Sequence, residues 1–150
     1  TGVQTCALPI SEVLYKMLLM KLSDKSKKYY LDLSLYLAKS DGFFSDIEKK
    51  LIDTQCAEMG IDNNDYTEEL SFEEVCQTIR TSATNNEKKI IFIELISLAF
   101  VDEEFTDEEN VFVEQVRRLL EIPEEVSEQA IDIISNIVKY TKTLEDFVEW

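Results

Sequence analysis

The 150-residue sequence contains no histidine, three glycines and two prolines. The lack of histidine removes the commonest general base, the usual zinc ligand and the usual pH switch. Scarce glycine and proline argue for a few long elements and against a sandwich or a barrel. The cysteines Cys6, Cys56 and Cys76 form no Cys-x-x-Cys pair, so we expect a reducing compartment and no soft-metal or redox site. No apolar run is long enough to span a membrane.

Acidic residues outnumber basic residues by 31 to 15, which gives a net charge of −16. Such a surface repels phosphate backbones and anionic lipids, and it therefore argues against binding to nucleic acids or membranes. It favours cations and basic protein partners, although acidic surfaces also serve solubility alone. The apolar fraction of 45% is sufficient for a folded core.

The first eleven residues, Thr1–Ser11, carry no charge and no initiator methionine. They also lack the basic start and long apolar centre of a signal peptide. The string is similar to a translated sequencing adapter, so we expect a non-native leader over 1–11. We predict a single helical domain over 12–150.

Apolar residues recur at helical spacing through the rest of the chain, which predicts an all-α fold of about seven helices. The predicted helices cover about 12–22, 24–40, 45–60, 71–82, 87–101, 106–120 and 123 onward. The fifth is apolar on most sides and should be the central helix. No segment has the alternation expected of a strand.

An internal repeat relates residues 37–61 to residues 98–122 at an offset of 61. Seven of the 25 positions are identical: Leu37/Leu98, Ala38/Ala99, Asp41/Asp102, Phe44/Phe105, Asp46/Asp107, Glu48/Glu109 and Ile61/Ile122. We therefore predict a duplicated helical bundle with a pseudo-twofold internal repeat. Its halves cover about 12–61 and 73–122, and a C-terminal helix follows.

Each copy of the repeat marks a corner between two helices. Helix capping explains part of the pattern, because Ser45 with Glu48 and Thr106 with Glu109 have capping-box spacing. Asp41 and Asp102 are not explained in this way, since a carboxylate at a helix C-terminus opposes the macrodipole. Their position in both copies suggests a positive partner, although an Asp that bonds to its own turn is the alternative.

A divalent cation is one such partner, since hard oxygen ligands suit calcium or magnesium. The predicted ligands are Asp41 with Glu48 and Asp102 with Glu109, and the additional ligands are Asp46, Asp107 and Glu104. The second corner is the richer one, with six carboxylates within residues 102–109. Because Glu103 replaces Gly42 there, the turn geometry of the two corners can differ.

The two corners, LAKSDGFFSDIE in 37–48 and LAFVDEEFTDEE in 98–109, resemble the TerB family. This tellurite-resistance-associated domain is also seen at the start of certain DnaJ-like co-chaperones, and its signature is an Ala-Asp-Gly followed by Ser and Glu in each half. This chain departs from it, since Lys39 and Ser40 separate Ala38 from Asp41. The resemblance covers about residues 12–140.

The resemblance implies a cytoplasmic, non-enzymatic stress-response domain that binds divalent cations at Asp41, Glu48, Asp102 and Glu109. We therefore expect an acidic scaffold that binds a divalent cation, a protein partner or both. A metal-independent module for a basic protein is the alternative. A carboxylate-based hydrolase is the third hypothesis, and it requires paired carboxylates in a cleft.

Overall fold

The computed structural model describes residues 18–40, 42, 45–62, 68, 70–100 and 106–149. Within them the chain forms six α-helices and no strand. The helices are α1 (Asp24–Ala38), α2 (Asp46–Met59), α3 (Phe72–Ser82), α4 (Asn85–Ala99), α5 (Asp107–Leu119) and α6 (Glu124–Glu149). The predicted all-α fold is confirmed. The expected leader and most of the helix predicted over 12–22 lie outside the described residues, although 18–19 are helical.

Serine or threonine caps the N-terminus of each of the first five helices. Ser45 and Thr106 cap α2 and α5 as predicted, and both caps close into capping boxes. Helix α1 begins at Asp24, as predicted, and Ser23 caps it. Helix α4 begins at Asn85, two residues before the predicted 87, because Thr84 forms a further capping box there. A hydroxyl that accepts a first-turn N–H explains each of these starts.

The positions of the helices along the chain repeat with the same offset as the corner motif. Both α1 and α4 have 15 residues, and their caps Ser23 and Thr84 lie 61 positions apart (84 − 23). The caps of α2 and α5, Ser45 and Thr106, have the same offset (106 − 45). The repeat therefore extends over whole helix pairs and is not limited to the corner motif.

The ends of α2 and α5 repeat as well. Gly60 has a φ of 73° and Glu121, 61 positions later, has a φ of 57°. In both copies the next residue closes the helix, since the Ile61 N–H donates to the Cys56 carbonyl at 2.9 Å and the Ile122 N–H donates to the Arg117 carbonyl at 2.9 Å. Glycine suits the left-handed conformation, whereas the glutamate in the second copy adopts it under strain.

The core is centred on α4, as its apolar sequence predicted. This helix contacts α1, α5 and α6, and its residues 94–99 are all buried. The first half of α6 packs against the core through Ala130 and Ile134. No helix in the described ranges is both long and apolar enough to cross a membrane.

Candidate functional site: a groove between the two corners

The structure brings the two corners of the repeat together. Ser40, at the end of α1, and Asp107 and Glu108, in the first turn of α5, line one groove of about 360 Å³. We call this the corner groove; its other lining residues are Val111, Phe112 and Gln115. The sequence predicted the two corners but not that they would meet.

The corner groove combines an acidic rim with apolar residues. Asp107 and Glu108 are exposed, and Val111 is 57% exposed although it is apolar. Phe112 is buried beside it, and its ring centroid lies 5.1 Å from that of Phe72 in α3. An exposed apolar side chain beside carboxylates suits a partner that is both basic and apolar.

An aromatic row supports the groove from behind. Phe72 packs edge-on against Tyr36 of α1 with ring centroids 6.1 Å apart, and the Tyr36 hydroxyl donates to the Leu70 carbonyl at 2.8 Å. These contacts join α1, α3 and α5, so the groove is built on packed helices. This row could not be predicted from the sequence, because residues on three separate helices have no common spacing.

The first corner is held by short local contacts. The Ser40 hydroxyl donates to the Leu37 carbonyl at 2.7 Å, and the Gly42 N–H donates to the Lys39 carbonyl at 3.1 Å. Gly42 has a φ of 79°, in the left-handed region that glycine adopts without steric cost. Lys39 bonds Glu68 at 2.7 Å, and this hydrogen bond lowers the pKa of the Glu68 carboxyl.

Two of the predicted cation ligands, Glu48 and Glu109, cap helices. The Ser45 N–H donates to Glu48 Oε1 at 3.1 Å, and the Thr106 N–H donates to Glu109 Oε1 at 3.2 Å. The Thr106 hydroxyl also donates to Glu109 Oε1 at 3.0 Å. Both glutamates are buried, and one oxygen of each satisfies its helix N-terminus.

The other predicted ligands have different positions. Asp46 and Asp107 are exposed in the first turns of α2 and α5, and Asp46 lies 3.9 Å from Lys49. Asp41, Asp102 and Glu104 lie outside the described residues. Within the described ranges, no group of three or more cysteine, aspartate and glutamate side chains could hold a metal ion. The predicted ligand set, which depends on both corners, stays a prediction.

The cysteines lie away from the groove. Cys56 and Cys76 are buried, and burial raises the pKa of their thiols to about 11 and about 12 respectively. Such thiols carry little thiolate at neutral pH and are poor nucleophiles or metal ligands. Cys6 lies outside the described residues.

A second polar cluster lies in the core. The Tyr30 hydroxyl donates to Gln55 Oε1 at 3.0 Å, and Gln55 Nε2 approaches Glu94 Oε2 at 3.5 Å. Glu94 is 0% exposed; burial raises the pKa of its carboxyl well above the usual value, and the charge of nearby Glu58 raises it further. A glutamate in the middle of an apolar helix is the signal in the sequence that could have found this cluster.

The fold and the groove define a small acidic all-α domain built from a duplicated helix pair. Residues 63–132 match the family model described as tellurite resistance protein TerB. This part of the chain is therefore similar to TerB, in agreement with the resemblance of the second corner. The matched range is a little under half of the chain and contains the Asp107 side of the groove, whereas Ser40 precedes it. No curated protein and no solved structure matches the chain.

Proposed function

We propose that this TerB-like chain is a non-enzymatic cytoplasmic binding domain whose corner groove recognises a basic protein segment. The observation that carries the proposal is the convergence of Ser40 from the first corner with Asp107 and Glu108 from the second on one groove. The net charge of −16 attracts a basic partner over long range, and Val111 offers it an apolar contact. In line with the family description, the domain serves a stress response related to tellurite resistance.

The absence of histidine and the chemistry of the groove support the non-enzymatic part of the proposal. Paired catalytic carboxylates need environments that separate their pKa values. Asp107 and Glu108 are neighbours on one exposed turn and share the same solvent environment. The fully buried Glu94 is enclosed in the core and does not line the groove. A carboxylate-based hydrolase is therefore the weakest candidate.

A divalent cation, calcium or magnesium, is the second candidate ligand. The observation that favours it is that Asp107 and Glu108 line the groove only a few residues after Asp102 and Glu104 in the sequence. These oxygen ligands have the hard character that both ions prefer. In this version the cation would sit at the second corner and the protein partner would bind beside it.

Titration of the protein with a basic helical peptide, in which lysine and leucine alternate by helical turn, tests the protein-binding proposal. We expect saturable binding that weakens with salt and falls by about tenfold in the Asp107→Asn/Glu108→Gln variant. The matched control is Glu128→Gln/Asp132→Asn, which removes two exposed charges from α6, away from the groove. An equal loss in both variants would mean that net charge alone drives binding, and the groove proposal would fail.

Calorimetric titration of calcium and magnesium into chelator-treated protein separates the two candidates. Saturable heat that is lost in Asp102→Asn/Glu109→Gln would support a cation site at the second corner. If no heat is measured at millimolar concentrations of either ion, and if chelator does not change peptide binding, the metal-independent module remains as the proposal. Glutamine also closes a capping box, so this variant keeps the start of α5 intact.

A further inference from the structure

The polar cluster in the core has no equivalent in the second half of the duplication. We call it the core cluster, and its members are Tyr30 of α1, Gln55 and Glu58 of α2, and Glu94 of α4. At the offset of 61 the corresponding positions are all aliphatic, and they hold Ile91, Val116, Leu119 and Leu33 respectively. One half of the molecule thus completes the same fold with apolar side chains, so packing alone does not require the core cluster.

The surroundings of Glu94 suit a neutral carboxyl group and not a carboxylate. The side chain is fully buried, and Gln55 Nε2 approaches its Oε2 only at 3.5 Å. The other oxygen, Oε1, has no hydrogen-bond partner among the described residues. A carboxylate in such a place loses its hydration without replacement bonds, which costs far more than burying the protonated form. The negative charge of Glu58 on the neighbouring helix adds to that cost.

The helices around Glu94 present no positive charge to it. From α1 it is faced by the Tyr30 hydroxyl, whose own pKa is raised by burial and by the charge of Glu94. From α2 come the Gln55 amide, the Cys56 thiol and Glu58. On α4 itself, residues 90–93 and 95–98 carry no charge. In the described parts of α5 and α6 the one buried titratable side chain is Glu109, which caps the start of α5.

Helix α2 is the element that can move away from this cluster most easily. Its main contact with another helix is with α1, and it reaches α4 through Gln55 and Glu94. By contrast, α4 is enclosed by α1, α5 and α6. Opening of one weakly packed unit requires less free energy than unfolding of the whole domain. Such an opening would hydrate Glu94 and would separate it from Glu58.

We propose that the core cluster is a pH-sensitive latch: α2 stays packed while Glu94 holds its proton, and loss of that proton releases α2. In the open form Glu94 is hydrated and its pKa is near the ordinary value, whereas in the closed form burial and the charge of Glu58 raise the pKa. The closed form therefore loses stability as the pH rises between these two values, and the open fraction grows by about tenfold per pH unit. Because the chain has no histidine, no imidazole titrates in the same range. The latch does not depend on the corner groove.

The two buried cysteines can report the opening of α2 and of the whole domain separately. Cys56 lies on α2 and Cys76 lies on α3, and both are buried. Iodoacetamide reacts with an accessible thiolate, so each cysteine is labelled only when its surroundings open. With the rate at each cysteine read by mass spectrometry, we expect Cys56 to be labelled faster than Cys76 by about tenfold or more. Equal rates would mean that the chain opens only as a whole, which overturns the release of α2.

The pH dependence of the Cys56 rate tests the role of Glu94. Division by the rate of a free peptide with the sequence of residues 53–59 removes the pH dependence of the thiol itself. Between about pH 6 and 8 the corrected rate should rise by about tenfold per pH unit, for as far as the closed form keeps its proton. In Glu94→Gln, which keeps the shape and cannot ionise, the rate should not change with pH. Glu94→Leu, which introduces the residue found at the corresponding position 33, should behave in the same way.

The matched control is Glu128→Gln, which removes an exposed carboxylate from α6 and should keep the wild-type rise. A wild-type rate that is flat with pH, or a rise that persists in Glu94→Gln, overturns the latch. Glu58→Gln should end the rise at a lower pH, because the charge that helps to hold the proton on Glu94 is then missing. A rise that ends at the same or at a higher pH in this variant overturns the role of Glu58.

Discussion

The substitution Glu94→Gln tests whether the core holds a protonated carboxyl. Glu94 lies in the middle of α4 and is 0% exposed, and its Oε1 has no hydrogen-bond partner among the described residues. Burial, with a further contribution from the charge of Glu58, raises the pKa of its carboxyl well above 4.5. Glutamine has the same shape and carries no titratable proton, so the substitution removes the titration while leaving the volume unchanged.

The sign of the effect follows from proton binding. The unfolded chain releases the Glu94 proton near the ordinary pKa of 4.5, whereas the folded chain keeps it to higher pH. Below the unfolded pKa both states hold the proton and Glu94 costs nothing. Above it, and up to the raised folded pKa, the free energy of unfolding falls by about 1.4 kcal/mol per pH unit. The variant lacks this slope, so its advantage over wild type grows with pH.

Urea unfolding of both proteins at several pH values between 5 and 7 measures this slope, which should be present for as far as the folded carboxyl keeps its proton. Carboxyls with lowered pKa values, such as Glu68 and Glu114, give slopes of the opposite sign, but they are present in both proteins and cancel in the difference. Glu128→Gln, at an exposed site on α6, is the matched control for the loss of one carboxylate. A wild-type-to-variant difference that stays constant with pH would refute a neutral buried Glu94.

Three further predictions concern stability and are checked by urea denaturation. Glu121→Gly should be more stable than Glu121→Ala by about 1 kcal/mol. Both variants lose the exposed ion pair with Arg80, but only glycine adopts the left-handed backbone without strain. The opposite ranking would contradict that backbone conformation. Ser45→Ala and Thr106→Ala should each cost about 1 kcal/mol, since each removes the side-chain acceptor for a first-turn N–H, and unchanged midpoints would show that the caps contribute nothing. Leu98→Ala should cost about 2–5 kcal/mol by leaving a cavity in the core, and a loss well below this range would mean that the core collapses around the site.

Most of the secondary structure was predictable because its causes are local. The capping boxes at Ser45 and Thr106 and the left-handed end at Gly60 each depend on residues within one turn of the chain. The duplication was visible for the same reason, since equal local signals recur at one offset. Thr84 shows where this reasoning failed: the helix was predicted to begin at about 87, although Thr84 has a glutamate three residues later and caps α4.

The candidate site was only half predictable because its parts come from different helices. The acidic corners could be read from the sequence, but their meeting depends on the contact of α1 with α5 and on Phe112 packing against Phe72. The partners of Glu94, which are Tyr30 and Gln55, lie 64 and 39 positions away in the sequence. No local pattern encodes such distances, since they follow from how the helices pack.

The double role predicted for Glu109 can be resolved because capping and cation binding need different properties of one side chain. A cap needs an oxygen that accepts a hydrogen bond, which glutamine supplies, whereas a calcium or magnesium site also needs the negative charge, which glutamine lacks. If Glu109 is both cap and ligand, Glu109→Gln should keep the melting temperature of the metal-free protein and lose the stabilisation by added cation. Glu109→Ala should lower the metal-free stability by about 1 kcal/mol as well. If cation stabilises Glu109→Gln as strongly as wild type, Glu109 is a cap alone, and any cation site at the second corner must be built from its aspartates and from Glu104.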